Sequence, residues 1–323
     1  MSRLKLFSLD AGADFAGRVA AALGEPLAAH EERDFVDGEH KLRPLDDVEG
    51  ADVYLVQSLY GDEHSSVDDK LVRLLFFVGA LKDAGAARVT AVAPYLCYGR
   101  KDRRTKLHDP LSSRYLASLF ECLGTDAVLT LDAHNQSAFE NAFRCRTLHL
   151  PAQPLFVEFA AEQLAGDGNP IVVASPDVGG VKRAEAFRRA LGRRLERDIG
   201  RAFVEKYRSG EKLSGGTLIG EVKGASVLIV DDLIAGGGTV CRAAAAIAGG
   251  GAARILALAS HGQFCGDALA DLDRLPLEAI AITNSLPQVR EGKSLRVVDC
   301  APLIAEAIRR LHDDGPATQL SVV

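Results

Sequence analysis

No two of the six cysteines stand in a C-x-x-C pair, which removes the usual signature of a zinc site or a redox dithiol. Cys97, Cys122, Cys145, Cys241, Cys265 and Cys300 are scattered, mostly in apolar surroundings, and read as reduced, buried thiols. No apolar run approaches the length of a membrane span, and residues 1–8 lack the long apolar region of a secretory leader. A cytoplasmic location with no membrane partner is therefore expected. Positive charge is not in excess either: the formal net charge of -6 argues against a surface built mainly for nucleic acid. Nor does a G-x-G-x-x-G follow the first strand-like run, so a dinucleotide-binding oxidoreductase has no support.

What is present is a succession of short apolar runs, each ending in small polar or charged residues or in proline. The runs at 53–56, 89–92, 128–131, 171–173, 227–230, 255–258 and 279–282 are rich in Val, Ile and Leu. Such continuous runs suit strands buried on both faces of a parallel sheet. Helix-patterned segments at 70–84, 112–123 and 182–194 sit between them, and this alternation predicts an α/β fold with open parallel sheets. A length of 323 residues suits two domains. Similar strand endings in the two halves, and the prolines of 149–154, place the expected boundary between domains 1–150 and 151–323. In open sheets of this class ligands bind beyond the carboxyl ends of strands, so the polar tails are the candidate sites.

The most informative tail is 231–239, Asp-Asp-Leu-Ile-Ala-Gly-Gly-Gly-Thr, which joins an apolar strand to an Ala-rich, helix-favouring segment. Glycine lets the backbone approach an anion without a Cβ in the way, and a helix starting just beyond aims unpaired N–H groups at a phosphate. Ionised Asp231 and Asp232 accept hydrogen bonds only, which suits sugar hydroxyls or a cation held by the ligand. The pattern reads as a site for a phosphorylated ribose.

Four further segments narrow this reading. Residues 175–184 combine a strand end, Asp177, two glycines and basic residues, and 130–134 place Asp132 and His134 on another strand end. Residues 98–104 gather four cations around Asp102, and 34–39 set Phe35 among the acceptors Asp34, Asp37 and Glu39. Together, in this order and spacing, they resemble the ribose-phosphate pyrophosphokinase (phosphoribosyl pyrophosphate synthetase) family along nearly the whole chain. The resemblance implies two tandem phosphoribosyltransferase-like domains, each with a mainly parallel sheet flanked by helices. It also implies transfer of the pyrophosphoryl group of ATP to the 1-hydroxyl of ribose 5-phosphate. Asp231, Asp232, Gly236, Gly237, Gly238 and Thr239 fall on the family's ribose-5-phosphate loop. Arg100, Asp102 and Arg104 match its ATP segment in the N-terminal domain, and Phe35, Asp37 and Glu39 match residues that reach the adenine of a neighbouring subunit, implying a homo-oligomer with its ATP site at a subunit interface. His134 and Asp177 match magnesium-associated positions, and Lys206 and Arg208 match a catalytic basic pair on a flexible loop.

The match has a departure. Ala235 and Gly236 stand where the family's loop carries a third acid and a threonine, so one carboxylate towards the ribose is missing. Two other readings stay open on that account: a non-catalytic, regulatory homologue of the synthetase, or a phosphoribosyltransferase that consumes the pyrophosphorylated sugar.

Overall fold

The computed structural model of the chain describes residues 3–209, 212–288, 292–313 and 315, with side chains described outside 206–215. Two compact units divide after Pro151: residues 1–151 with 300–323, and residues 152–299. Both are α/β, and each sheet is mainly parallel and flanked by helices.

The first unit runs β1 (Leu4–Ser8), α1 (Ala13–Leu23), β2 (His30–Asp34), β3 (His40–Pro44), β4 (Asp52–Val56), α2 (Val67–Asp83), β5 (Arg88–Val92), α3 (Ser112–Cys122), β6 (Ala127–Leu131), α4 (Gln136–Ala142) and β7 (Arg146–Leu150). Strands pair in the order β1-β4-β5-β6-β7, all parallel. Both β4 and β6 are buried at every position, which is why the sequence shows unbroken apolar runs there rather than alternation. Phe7 and Phe77 meet edge to face at 5.5 Å in the core between sheet and helix. The start of α2 is set by a capping box: Ser66 Oγ accepts from Asp69 N at 3.1 Å, and Asp69 Oδ2 accepts from Ser66 N at 2.9 Å. The antiparallel pair β2–β3 stands apart from the sheet as a two-stranded arm.

The second unit runs α5 (Gln153–Gln163), β8 (Ile171–Ser175), α6 (Val181–Leu195), β9 (Gly200–Ser209), β10 (Lys212–Ile219), β11 (Ser226–Ile234), α7 (Gly238–Gly249), β12 (Arg254–Gly262), α8 (Ala268–Asp273), β13 (Ala279–Thr283) and β14 (Leu295–Val298). Its sheet has the order β10-β9-β8-β11-β12-β13-β14, with only β10 antiparallel to its neighbour. From β8 the chain continues on one side to β9 and β10, then crosses to the other side for β11. The order therefore reverses between β8 and β11, which is where open α/β sheets leave a crevice.

The last helix, α9 (Ala301–His312), packs on α1 and is counted with the first unit, although the boundary expected from sequence put it with the second. It buries Ile304, Ile308 and Leu311 and is also tied to buried Asp52: His312 Nδ1 lies 2.7 Å from Asp52 Oδ2, and Arg88 bonds both Asp52 oxygens at 2.6 and 2.5 Å. Arg88 also donates to the Leu311 carbonyl at 3.0 Å. The cysteines are all free, but Cys122 and Cys265 are exposed, which corrects the expectation that all are buried. Among the described residues no helix is long and apolar enough to cross a membrane.

Replacing Asp52 by Ala would take the carboxylate from Arg88 and the acceptor from the Tyr54 hydroxyl, which bonds Asp52 at 3.0 Å, while Arg88 keeps Tyr54 and the Leu311 carbonyl. Since Arg88 keeps part of its surface in solvent, the expected loss is about 2–3 kcal/mol, below the range for a fully buried pair, measured by chemical denaturation.

Candidate functional site

In the second unit β11 pairs with β8 only as far as Ile229 opposite Ala174, whereas it stays paired with β12 to Ile234 opposite Gly262. Beyond Ala174 the chain of β8 turns through Ser175, Pro176 and Asp177, so one edge of β11 opens where Asp231 and Asp232 stand. Arg183, in the first turn of α6, reaches into this opening. Its Nη1 is 2.8 Å from Asp232 Oδ1 and 3.6 Å from Asp231 Oδ1. One guanidinium thus faces two carboxylates, and Asp232 N donates to Asp231 Oδ1 at 2.9 Å. Burial, and then the charge of Asp232 beside it, push the Asp231 carboxyl up to about 7.

The glycines that follow do different work. Gly237 has φ 70, and a Cβ there would come 3.3 Å from Ala268, so the turn requires glycine. Gly236 faces open space, so a Cβ there would meet nothing within 4 Å. Gly237 is the N-cap of α7, and neither it nor any side chain caps the helix start. Gly238 and Thr239 begin the first turn, and Gly238 N donates to the Gly236 carbonyl at 2.8 Å; the unpaired amides of a helix start are where anions bind. Arg242 Nη2 lies 3.4 Å from Thr239 Oγ1.

Asp177 closes the turn after β8: its Oδ1 accepts from Gly180 N at 3.1 Å. In the first unit, His134 is exposed at the turn after β6, where Asp132 takes a left-handed φ of 39 and lies 3.8 Å from His149 Nε2. Asp102 accepts from Asn135 Nδ2 at 2.7 Å. Around it the stretch 98–111 is pinned by Asp109, which accepts from Lys101 Nζ at 2.5 Å, Thr105 N at 2.9 Å and Lys106 N at 2.9 Å. Arg104 Nε donates to the Asp109 carbonyl at 3.2 Å, while Arg100 is exposed.

Phe35, Asp37 and Glu39 lie on the tip of the β2–β3 arm, where Glu39 N donates to Asp37 Oδ1 at 3.1 Å and Arg33 stacks over Phe35 at 5.2 Å. Phe35 is 40% exposed and Val36 is fully exposed, so the tip offers apolar surface to something outside its own core. At its foot, Arg73 bonds Glu32 at 2.9 Å and also pairs with Asp34. Although burial works against it, the imidazole of His30 nearby and hydrogen bonds from the Asp10 amide and Arg73 hold Glu32 at about 2. Asp10, His30 and Glu32 are, among the described residues, the group with metal-ligand spacing, and Arg73 and the Asp10 amide already use both oxygens of Glu32. The sequence did not point to it.

Lys206 and Arg208 were expected on a loop. Their backbone instead forms the β9–β10 hairpin, Lys206 opposite Gly216 and Arg208 opposite Leu213, and their side chains lie outside the described ones. Arg183 and Asn135 were not given roles from the sequence, although Arg183 is one of the basic residues of the 175–184 segment.

A family model described as the N-terminal domain of ribose phosphate pyrophosphokinase matches residues 4–124, and one described as the phosphoribosyl synthetase-associated domain matches 202–321. Ribose-phosphate pyrophosphokinases from Prochlorococcus marinus and Caldanaerobacter subterraneus are each 35% identical, over 99% and 98% of this chain and 94% and 97% of theirs. The chain belongs to the ribose-phosphate pyrophosphokinase family. A solved structure of phosphoribosylpyrophosphate synthetase from Mycobacterium smegmatis superposes with a TM-score of 0.88 at 30% identity, covering 97% of this chain and all of that one. Fold and sequence therefore agree on the family over both units.

The crowding of carboxylates has a measurable cost. Asp231 titrates higher folded than unfolded, so its contribution to stability is full below its ordinary range and is lost as pH rises towards 7. Asp231→Asn should therefore raise the melting temperature of the ligand-free protein more at about pH 8 than at about pH 5 in thermal unfolding.

Proposed function

We propose that the chain is an active, cytoplasmic ribose-phosphate diphosphokinase that makes phosphoribosyl pyrophosphate and AMP from ribose 5-phosphate and ATP. The observation that carries the reading is the crevice of the second unit: two carboxylates on an opened strand edge, then a glycine turn that starts a helix, in a chain similar to these enzymes along its length. In this reading the α7 N-terminus and Gly236, Gly237, Gly238 and Thr239 hold the 5-phosphate, and Asp231 and Asp232 accept from the ribose hydroxyls. The 1-hydroxyl oxygen attacks the β-phosphorus, the bond from that phosphorus to the α,β-bridging oxygen breaks, and AMP leaves with that oxygen while the hydroxyl gives up its proton. Holding the acceptor at both ends supplies the alignment that an in-line displacement needs.

The first unit takes the nucleotide. Arg100 and Arg104 offset the triphosphate charge, Asp102 contributes to nucleotide contacts, and Phe35, Asp37 and Glu39 on the exposed arm serve the adenine of a neighbouring copy, which makes a homo-oligomer necessary. Lys206 and Arg208 stabilise charge on the transferred group. Magnesium suits the oxygen donors of Asp177 and the Asp231–Asp232 pair better than the imidazole of His134, because it prefers oxygen and keeps several waters. The raised carboxyl of Asp231 fits a place that a cation completes. When bound, the ion would neutralise phosphate charge.

The second reading, a non-catalytic regulatory homologue, is favoured by Ala235, which leaves the loop one carboxylate short. Loss of one charged hydrogen bond costs roughly 1.5–3 kcal/mol, which weakens turnover without abolishing it. AMP formation that depends on ribose 5-phosphate supports the synthetase; its absence from a well-folded oligomer supports the regulatory homologue, and pyrophosphate release that depends on a nucleobase would point to a phosphoribosyltransferase. Lys206→Ala should lower turnover by about two orders of magnitude or more with little change in ATP affinity. Near-normal turnover would remove that residue from the mechanism.

A further inference from the structure

We propose that Asn135 is a positioning residue for the nucleotide side of this reaction, its carboxamide holding Asp102 against the turn that carries His134. The inference rests on the synthetase reading and deepens it by naming a residue outside every motif that led there. Asn135 Oδ1 accepts from Ala138 N at 3.2 Å as the N-cap of α4, and Nδ2 donates to Asp102 Oδ2 at 2.7 Å. These two bonds fix which way the amide faces. Turned over, it would set its donors on a backbone N–H and its oxygen against a carboxylate. The helix cap and the link to Asp102 therefore enforce one another.

Asp102 needs such a partner. It lies in a stretch without helix or strand between β5 and α3, flanked in sequence by Arg100, Lys101, Arg103 and Arg104. Lys101 is committed to Asp109, and among the described residues Asn135 is the hydrogen-bond partner of the Asp102 side chain. Released from Asn135, the carboxylate would be free to pair with the neighbouring guanidinium groups and neutralise the cations that a triphosphate requires. Asn135 thus keeps an acid and its adjacent bases apart, and it ties the segment 98–104 to the strand end of β6.

The test separates the link from the cap. Asn135→Asp keeps a good N-cap but sets a carboxylate against Asp102, so the melting temperature should hold while the KM for ATP rises about tenfold, with kcat and the KM for ribose 5-phosphate unchanged. Combining it with Asp102→Asn exchanges donor and acceptor, and the double variant should bind ATP more tightly than Asn135→Asp alone. ATP affinity is also read by calorimetry, which needs no turnover. A wild type that binds ATP but forms no AMP would sink the synthetase reading while calorimetry still judges the link. Unchanged ATP affinity in a folded Asn135→Asp protein, or strictly additive effects in the double variant, would overturn the inference.

Discussion

Two carboxylates side by side on a buried strand, facing the Arg183 guanidinium, are the constraint around which the second unit is arranged. A parallel sheet buries its strands on both faces, so a charged group on one needs a close partner, as Asp52 has in Arg88, or a place where the strand loses a neighbour. The parting of β11 from β8 after Ile229 supplies that place, and the helix α6 delivers Arg183 to it. Burial and the neighbouring charge of Asp232 lift Asp231 towards neutrality. A fold keeps such an unfavourable cluster where a ligand with hydroxyls or a cation can complete it.

The first unit solves a different problem. Its strands run in one sense across the sheet without a reversal in order, so its candidate residues lie on connections and on an arm rather than in a switch-point crevice. Connections need their own anchors, and here these are side-chain clasps: Asp109 gathers the stretch around Lys101 and Thr105, Asn135 holds Asp102, and Arg73 fixes the arm through Glu32 and Asp34. Val36 at the arm's tip is fully exposed.

Legibility followed burial. The central strands β4, β5, β6, β8, β11, β12 and β13 were all readable because a strand covered on both faces carries an unbroken apolar run. The arm was not: β2 and β3, His-Glu-Glu-Arg-Asp and His-Lys-Leu-Arg-Pro, are polar and partly exposed, so neither period nor hydrophobicity marks them. The β9–β10 hairpin was missed for a related reason, since its charged and glycine-rich stretch looks like a loop when its pairing partner is unknown. The place of α9 was missed because its ties join Leu311 and His312 to Arg88 and Asp52, more than 200 residues away in sequence.

The sequence by itself determined the fold class, the family and the turn that begins α7, because buried strands, glycine at a left-handed position and an uncapped helix start are local requirements written into consecutive residues. Only the tertiary structure decided which groups meet: that Arg183 answers Asp232, that Asn135 restrains Asp102, and that the last helix belongs with the first unit. Those pairings are set by distances between segments remote in the chain, and no local pattern of residue types encodes such a distance.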